Sequence, residues 1–295
     1  MARTVMSPEV FERTLQQLEA QPATFKVVSL YQGGEPFLNR NFLTMASRVK
    51  ATGVPLVKTV SNGMLIRPEM CDDIVRCGLD LIEISLDGDS PEQSNQVRVR
   101  SRFEHIAMIV HKLVEAKHRI SSEIDICISN TQFRDRKSFD LDIEFPAPAE
   151  YLLAAFADIK DDVVFNPNWA KLWPSGQPAS GYDLLLDDRA RERPRNCSLL
   201  DDMLNIRADG SVVACCYDLT SMTNFGNIME QSLEEIWNGS ISREFRQNFA
   251  AGAYPQLCQK CVVVTGDMFL LDKQRNSLQK TYGASELLSE RKKSA

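Results

Sequence analysis

Apolar and polar positions along the first 130 residues follow two alternating rhythms. Short runs of β-formers at 27–31, 55–60, 79–86 and 124–128 read as strands, the first of them buried. Between them, apolar residues spaced three and four apart mark helices. Phe11, Leu15 and Leu18 follow Ser7-Pro8-Glu9, where Ser7 has the chemistry of an N-cap and Pro8 suits the first helical position. Residues 42–49 and 68–75 form two more helical patterns, ending at Gly53 and Gly78. A long amphipathic one carries Phe103, Ile106, Ala107, Val110, Leu113 and Val114. Strands that alternate with helices predict an α/β fold with a parallel sheet.

Beyond residue 130 the rhythm weakens. Residues 163–165 predict a strand and 166–181, with three prolines and two tryptophans, a loop. Residues 189–195 read as a solvated linker, and a domain boundary falls near 190. Farther on, 204–206 and 212–215 flank Ala208-Asp209-Gly210-Ser211, a hairpin signal. Ser232 and Glu235 have capping-box spacing, so a helix starts at 233. Residues 241–249 present Ile241, Phe245 and Phe249 on one helical face, and residues from 266 onward read as a tail.

Composition narrows the class. The 295 residues are 43% hydrophobic and 25% charged, which is globular composition. A net charge of −6 provides no basic footprint for nucleic acid or an anionic membrane. No apolar run reaches the length of a spanning helix, and the N-terminus lacks a signal-peptide layout. The expectation is a cytoplasmic protein with neither nucleic acid nor membrane as partner. Eight cysteines then read as core residues or metal ligands. Cys71, Cys77 and Cys127 are scattered, whereas five cysteines crowd the last third.

The chemistry gathers where the first three strands stop. They end in Gly33-Gly34-Glu35-Pro36, Ser61-Asn62-Gly63 and Ser85-Leu86-Asp87-Gly88. A strand running into Gly-Gly either turns sharply or lets a ligand approach its backbone. Three such turns on neighbouring parallel strands would line one crevice, at the end of the sheet where α/β proteins bind ligands. Asp87 could equally cap a turn, and Arg98 could sit in a surface ion pair.

This ordered set of turns, followed by Arg98, resembles the radical S-adenosylmethionine (radical SAM) core. The last third resembles that family's SPASM or shorter twitch extension: Cys197, a glycine hairpin at Gly210, Cys215, a Gly-Asn-Ile segment, and Cys258-Gln-Lys-Cys261. The resemblance spans roughly residues 7–262. It implies a partial (β/α)6-type barrel over 1–190, an auxiliary-cluster domain over 191–265 and a tail over 266–295. It implies that Gly33, Gly34 and Glu35 receive the methionine ammonium of S-adenosylmethionine. Ser85 and Asp87 would take the ribose hydroxyls and Arg98 the methionine carboxylate, with Ser61 and Asn62 in the same pocket. Cys197, Cys215, Cys258 and Cys261 would ligate one auxiliary [4Fe-4S] cluster. Structural zinc would also accept four thiolates. Cys216 should face away from Cys215 if residues 212–216 form a strand.

The family's catalytic cluster is held by a Cys-x3-Cys-x2-Cys loop, and no cysteine precedes residue 71. The expectation is a radical enzyme lineage acting on a peptide or small-molecule substrate, with an electron-donor protein as a further partner. As written, the chain lacks the first strand and the cluster loop and should not perform reductive cleavage. A pseudoenzyme or scaffold that keeps the ligand crevice and a four-cysteine structural metal site is the alternative.

Overall fold

The computed structural model describes residues 5–272 except 22, 99, 135–144, 173, 175, 177–180, 187–191 and 267. Helix α1 (Pro8–Ala20) begins at Ser7, whose hydroxyl accepts from the Val10 amide. Strand β1 (Val27–Ser29), helix α2 (Phe42–Ala51), strand β2 (Leu56–Ser61), helix α3 (Cys71–Arg76) and strand β3 (Leu81–Ser85) follow. Next come helices α4 (Pro91–Val97) and α5 (Phe103–Ile120), strand β4 (Asp125–Gln132), helix α6 (Glu150–Ala155) and strand β5 (Val163–Trp169). The five strands form one sheet in the order β1-β2-β3-β4-β5, and every pairing is parallel.

One face of this sheet is apolar. Val57, Ile82, Ile84, Ile126 and Ile128 are essentially fully buried there against Leu15, Ala46, Ile74, Ile109 and Leu113 of the helices. Side chains alternate along a strand, so the opposite face carries Lys58, Glu83, Ser129 and Asn166, which are half-buried or exposed. The turns at the ends of β1, β2 and β3 thus rise from a sheet with one sealed and one polar face.

Three expectations change. Strand β1 is an edge strand rather than a buried one, and Val27 is 49% exposed, because β2 is its sole neighbour among the described residues. Strand β5 runs through the expected loop to Trp169 despite Pro167. It too is an edge strand, so the missing proline N–H can face away from the ladder. Met268–Asp272, placed in a tail, forms strand β10, antiparallel to strand β6 (Tyr182–Leu186). The expected linker falls partly, and residues 273–295 of the tail wholly, outside the described residues.

A second core lies in the C-terminal part. Helix α7 (Ser198–Asp201) precedes a three-stranded antiparallel sheet of β7 (Asn205–Ile206), β8 (Ser211–Val213) and β9 (Gly226–Asn227). The β7–β8 turn needs Gly210, which sits at φ +84°, where a Cβ would come within 2.7 Å of the Asn227 side chain. Helix α8 (Leu233–Trp237) has the expected capping box between Ser232 and Glu235. Helix α9 (Ser240–Ala251) buries Phe249 and packs Phe245 on the core, whereas Ile241 in its first turn is 57% exposed. Helices α10 (Gln256–Gln259) and α11 (Val262–Thr265) complete the unit.

Helix α1 ties the two cores together. Phe11, Leu15 and Leu18 enter the first and Val10 the second. Arg13 Nε donates to the Ile228 carbonyl at 2.9 Å, and buried Gln17 accepts from the Leu233 amide at 3.2 Å. That amide is one of the unpaired donors of the first turn of α8.

Candidate cofactor crevice and cysteine cavity

The Gly-Gly-Glu turn leaves β1 with its glycines exposed. Gly33 adopts φ +59°, and a Cβ on it would lie 3.2 Å from Leu219 of the C-terminal part; a Cβ on Gly34 would meet nothing nearer than the Gln32 carbonyl at 4.0 Å. Backbone amides and carbonyls at this turn are therefore open to a ligand. Glu35 reaches from β1 to the end of β2. Its carboxylate accepts from Ser61 Oγ and from the Asn62 amide, both at 2.8 Å, and from the Phe37 amide at 3.2 Å. An ionised carboxylate offers about four acceptor positions, so three internal donors leave it about one for an ammonium group. Glu35, Ser61 and Asn62 are thus one constellation.

Asp87 and Arg98 form a second. Asp87 is buried at the end of β3. One of its carboxylate oxygens accepts from the Thr131 amide at 3.2 Å and the other from Arg98 Nε at 2.6 Å. Arg98, just past α4, is half-exposed and directed at Asp87. Ser85 is buried beside it on β3. Register places Ser61 opposite Ile84 and Ser85 opposite Ser129, so the two constellations stand at the same end of adjacent strands.

The four cysteines come from three separate pieces of chain and line one apolar cavity. Cys197 precedes α7, Cys215 follows β8, Cys258 lies in α10, and Cys261 precedes α11. Leu200, Phe245, Phe249 and Leu257 supply much of the remaining wall. Burial pushes the Cys215 thiol up to about 12, with neighbouring Cys216 and Cys261 adding like charge, while the Tyr217 and Asp218 amides oppose the shift. Burial likewise raises Cys258 to about 12 and raises Cys261, the latter against the Val263 and Val264 amides. Amides that favour thiolates in a water-poor cavity are what a thiolate-held cofactor uses.

Among the described residues no three His, Cys, Asp or Glu side chains are grouped to hold a single metal ion. The four thiols that line one cavity supply the donor number that either a [4Fe-4S] cluster or zinc requires. Cys216 is not part of this wall, and it lies in a turn rather than in a continuation of β8. Its carbonyl accepts from Gln32 at 3.5 Å, which joins the glycine turn to the cysteine region.

Sequence reasoning missed Asn130, Thr131 and Tyr151, which hold the Asp87 turn from β4 and α6. A signal for the first exists. Asn130 continues the apolar row of Ile126 and Ile128 at a spacing of two, so an amide stands where the pattern asks for an aliphatic side chain.

A family model for the radical SAM superfamily matches residues 2–130. A model for the SPASM iron-sulfur cluster-binding domain matches residues 197–262. Residues 2–130 thus carry a radical SAM domain and residues 197–262 a SPASM domain, and the two together imply S-adenosylmethionine and an iron-sulfur cluster as cofactors.

The chain is 24% identical, over 87% of its length and 79% of the relative's, to the tungsten-containing aldehyde ferredoxin oxidoreductase cofactor-modifying protein of Pyrococcus furiosus. A segment of 28% of the chain is 32% identical to GTP 3′,8-cyclase of Chlorobaculum tepidum, covering 26% of that protein. Among solved structures, BtrN in complex with AdoMet and 2-DOIA is similar with a TM-score of 0.52. The identity is 14%, and the match covers 87% of this chain and 80% of that one. Native anSMEcpe with bound AdoMet is similar with the same TM-score and identity, over 91% and 82%. These likenesses establish the fold. Among the described residues no helix is long and apolar enough to cross a membrane.

Proposed function

We propose that this chain binds S-adenosylmethionine across the ends of β1, β2 and β3 and holds one [4Fe-4S] cluster in the cysteine cavity. The observation that carries the reading is the convergence of the Glu35 and Asp87 constellations on one end of adjacent strands. Gly33, Gly34 and Glu35 receive the methionine ammonium, with Ser61 and Asn62 in the same pocket; Ser85 and Asp87 bind the ribose hydroxyls; Arg98 meets the methionine carboxylate. S-adenosylmethionine held by these residues would supply hydrogen-abstraction chemistry once reduced by one electron. The protein's part is to orient the two ends of the cofactor between charged groups of opposite sign and to keep water from the cysteine cavity.

Residues 1–295 contain no Cys-x3-Cys-x2-Cys motif. The names of the relatives include a cofactor-modifying protein and a nucleotide cyclase, and the substrate class remains a small molecule or a peptide, with a protein electron donor. Free thiols throughout suit a reducing, cytosolic location. One observation favours a second reading, a scaffold that keeps the crevice for structural reasons: three internal donors already occupy Glu35.

Two measurements test these readings. Anaerobic reconstitution with iron and sulfide should load about four iron atoms per chain; stoichiometric zinc retained after aerobic purification would overturn the cluster assignment. Calorimetric titration with S-adenosylhomocysteine should show one site that weakens in Glu35→Gln and Asp87→Ala. Absence of binding to the wild type sinks the crevice reading and leaves the scaffold.

A further inference from the structure

Asn130 is fully buried on β4, and every hydrogen-bonding position of its amide is used. Its Nδ2 donates to the carbonyls of Leu86 at 2.7 Å and Gly88 at 2.8 Å. Its Oδ1 accepts from Gln132 Nε2 at 2.8 Å and from the Ala149 amide at 3.4 Å. The two carbonyls it holds flank Asp87 on either side in sequence. The carbonyl of Asp87 itself accepts from the Tyr151 hydroxyl at 3.3 Å. Three successive carbonyls are thereby fixed by side chains, while the Leu86 and Gly88 amides extend the ladder to Ser129 and Thr131 at 2.8 Å each. Gly88, at φ +88°, makes the turn possible.

An amide in the row of Ile126 and Ile128 costs the burial of a polar group, which only these hydrogen bonds offset. We propose that Asn130, assisted by Tyr151, is a positioning residue that presets the Asp87 carboxylate for hydroxyl groups of the ligand. It touches no ligand and acts through Asp87. The inference rests on the reading of Asp87 as the ribose-binding carboxylate. A turn fixed in advance spares the ligand the cost of ordering it, and that difference should depend on the hydroxyls that Asp87 accepts from.

The test is the ratio of dissociation constants for S-adenosylhomocysteine and its 2′,3′-dideoxy analogue, measured calorimetrically on the full chain. The wild type should favour the hydroxylated ligand by about tenfold or more, the range for hydrogen bonds to a charged group. Asp87→Ala should erase this preference. Asn130→Asp keeps the shape but turns an oxygen toward two carbonyls, and it should bring the ratio near unity. In the Asp87→Ala background it should change the ratio no further. Tyr151→Phe should lower the ratio in the same direction, and it decides the matter if Asn130→Asp does not fold. A full preference in the folded Asn130 and Tyr151 variants, with Asp87→Ala still erasing it, overturns the positioning role alone. A preference that survives Asp87→Ala, or is missing in the wild type, overturns the ribose reading and this inference with it.

Discussion

Arg98 Nε stands 2.6 Å from a carboxylate oxygen of Asp87, so two groups assigned to opposite ends of the cofactor are bonded to each other in the free chain. The carboxylate is 9% exposed and the guanidinium side chain 37%. Removing Arg98 leaves a buried charge that keeps the Thr131 amide. Arg98→Met should therefore lower stability by about 1–3 kcal/mol, read as a lower urea midpoint at unchanged m-value. An unchanged midpoint would place the pair among surface contacts that contribute nothing measurable.

Glu35→Gln separates the two readings of the glycine turn. The substitution turns one acceptor into a donor that faces Ser61 Oγ or the Asn62 amide. Stability should fall by about 1–2 kcal/mol and affinity for S-adenosylhomocysteine by about tenfold. A loss of stability with affinity intact would mean that Glu35 only joins β1 to β2.

The cysteine cavity makes a selective prediction. Cys258→Ala should cut iron loading sharply, because one of the four walls loses its thiolate. Cys216→Ala should retain about four iron atoms per chain, since its side chain does not line the cavity. Equal losses in both variants would place Cys216 among the ligands.

Stability at high pH should carry the mark of Cys127. Burial raises its thiol from 9.0 to about 11, with Glu83 and Asp125 adding to the shift. The fold favours the protonated thiol, so its contribution is complete below pH 9 and is lost as pH rises through about 11. Between pH 8 and 10.5 the wild type should lose about 2 kcal/mol more than Cys127→Val, measured by urea unfolding of the metal-free protein. Parallel curves for the two proteins would show that this thiol titrates normally in the fold.

The sequence by itself determined the features that arise within a few residues of each other. The Ser7 cap, the Ser232–Glu235 capping box and the Gly210 hairpin are local pairings of side chain and backbone, and each has the form its spacing dictates. The order of strands and helices followed from periodicity, and the resemblance to the SPASM extension named the four cysteines that share a cavity. The tertiary structure decided what depends on partners far along the chain. Whether Pro167 breaks a strand depends on β5 lying at a sheet edge, and whether residues 268–272 are a tail depends on a strand some 85 residues earlier. Glu35 acquires its donors from residues 26 and 27 positions away, and Asn130 finds the carbonyls beside Asp87 more than 40 positions back. Such partners are chosen by the order and register of parallel strands, which short-range spacing does not encode.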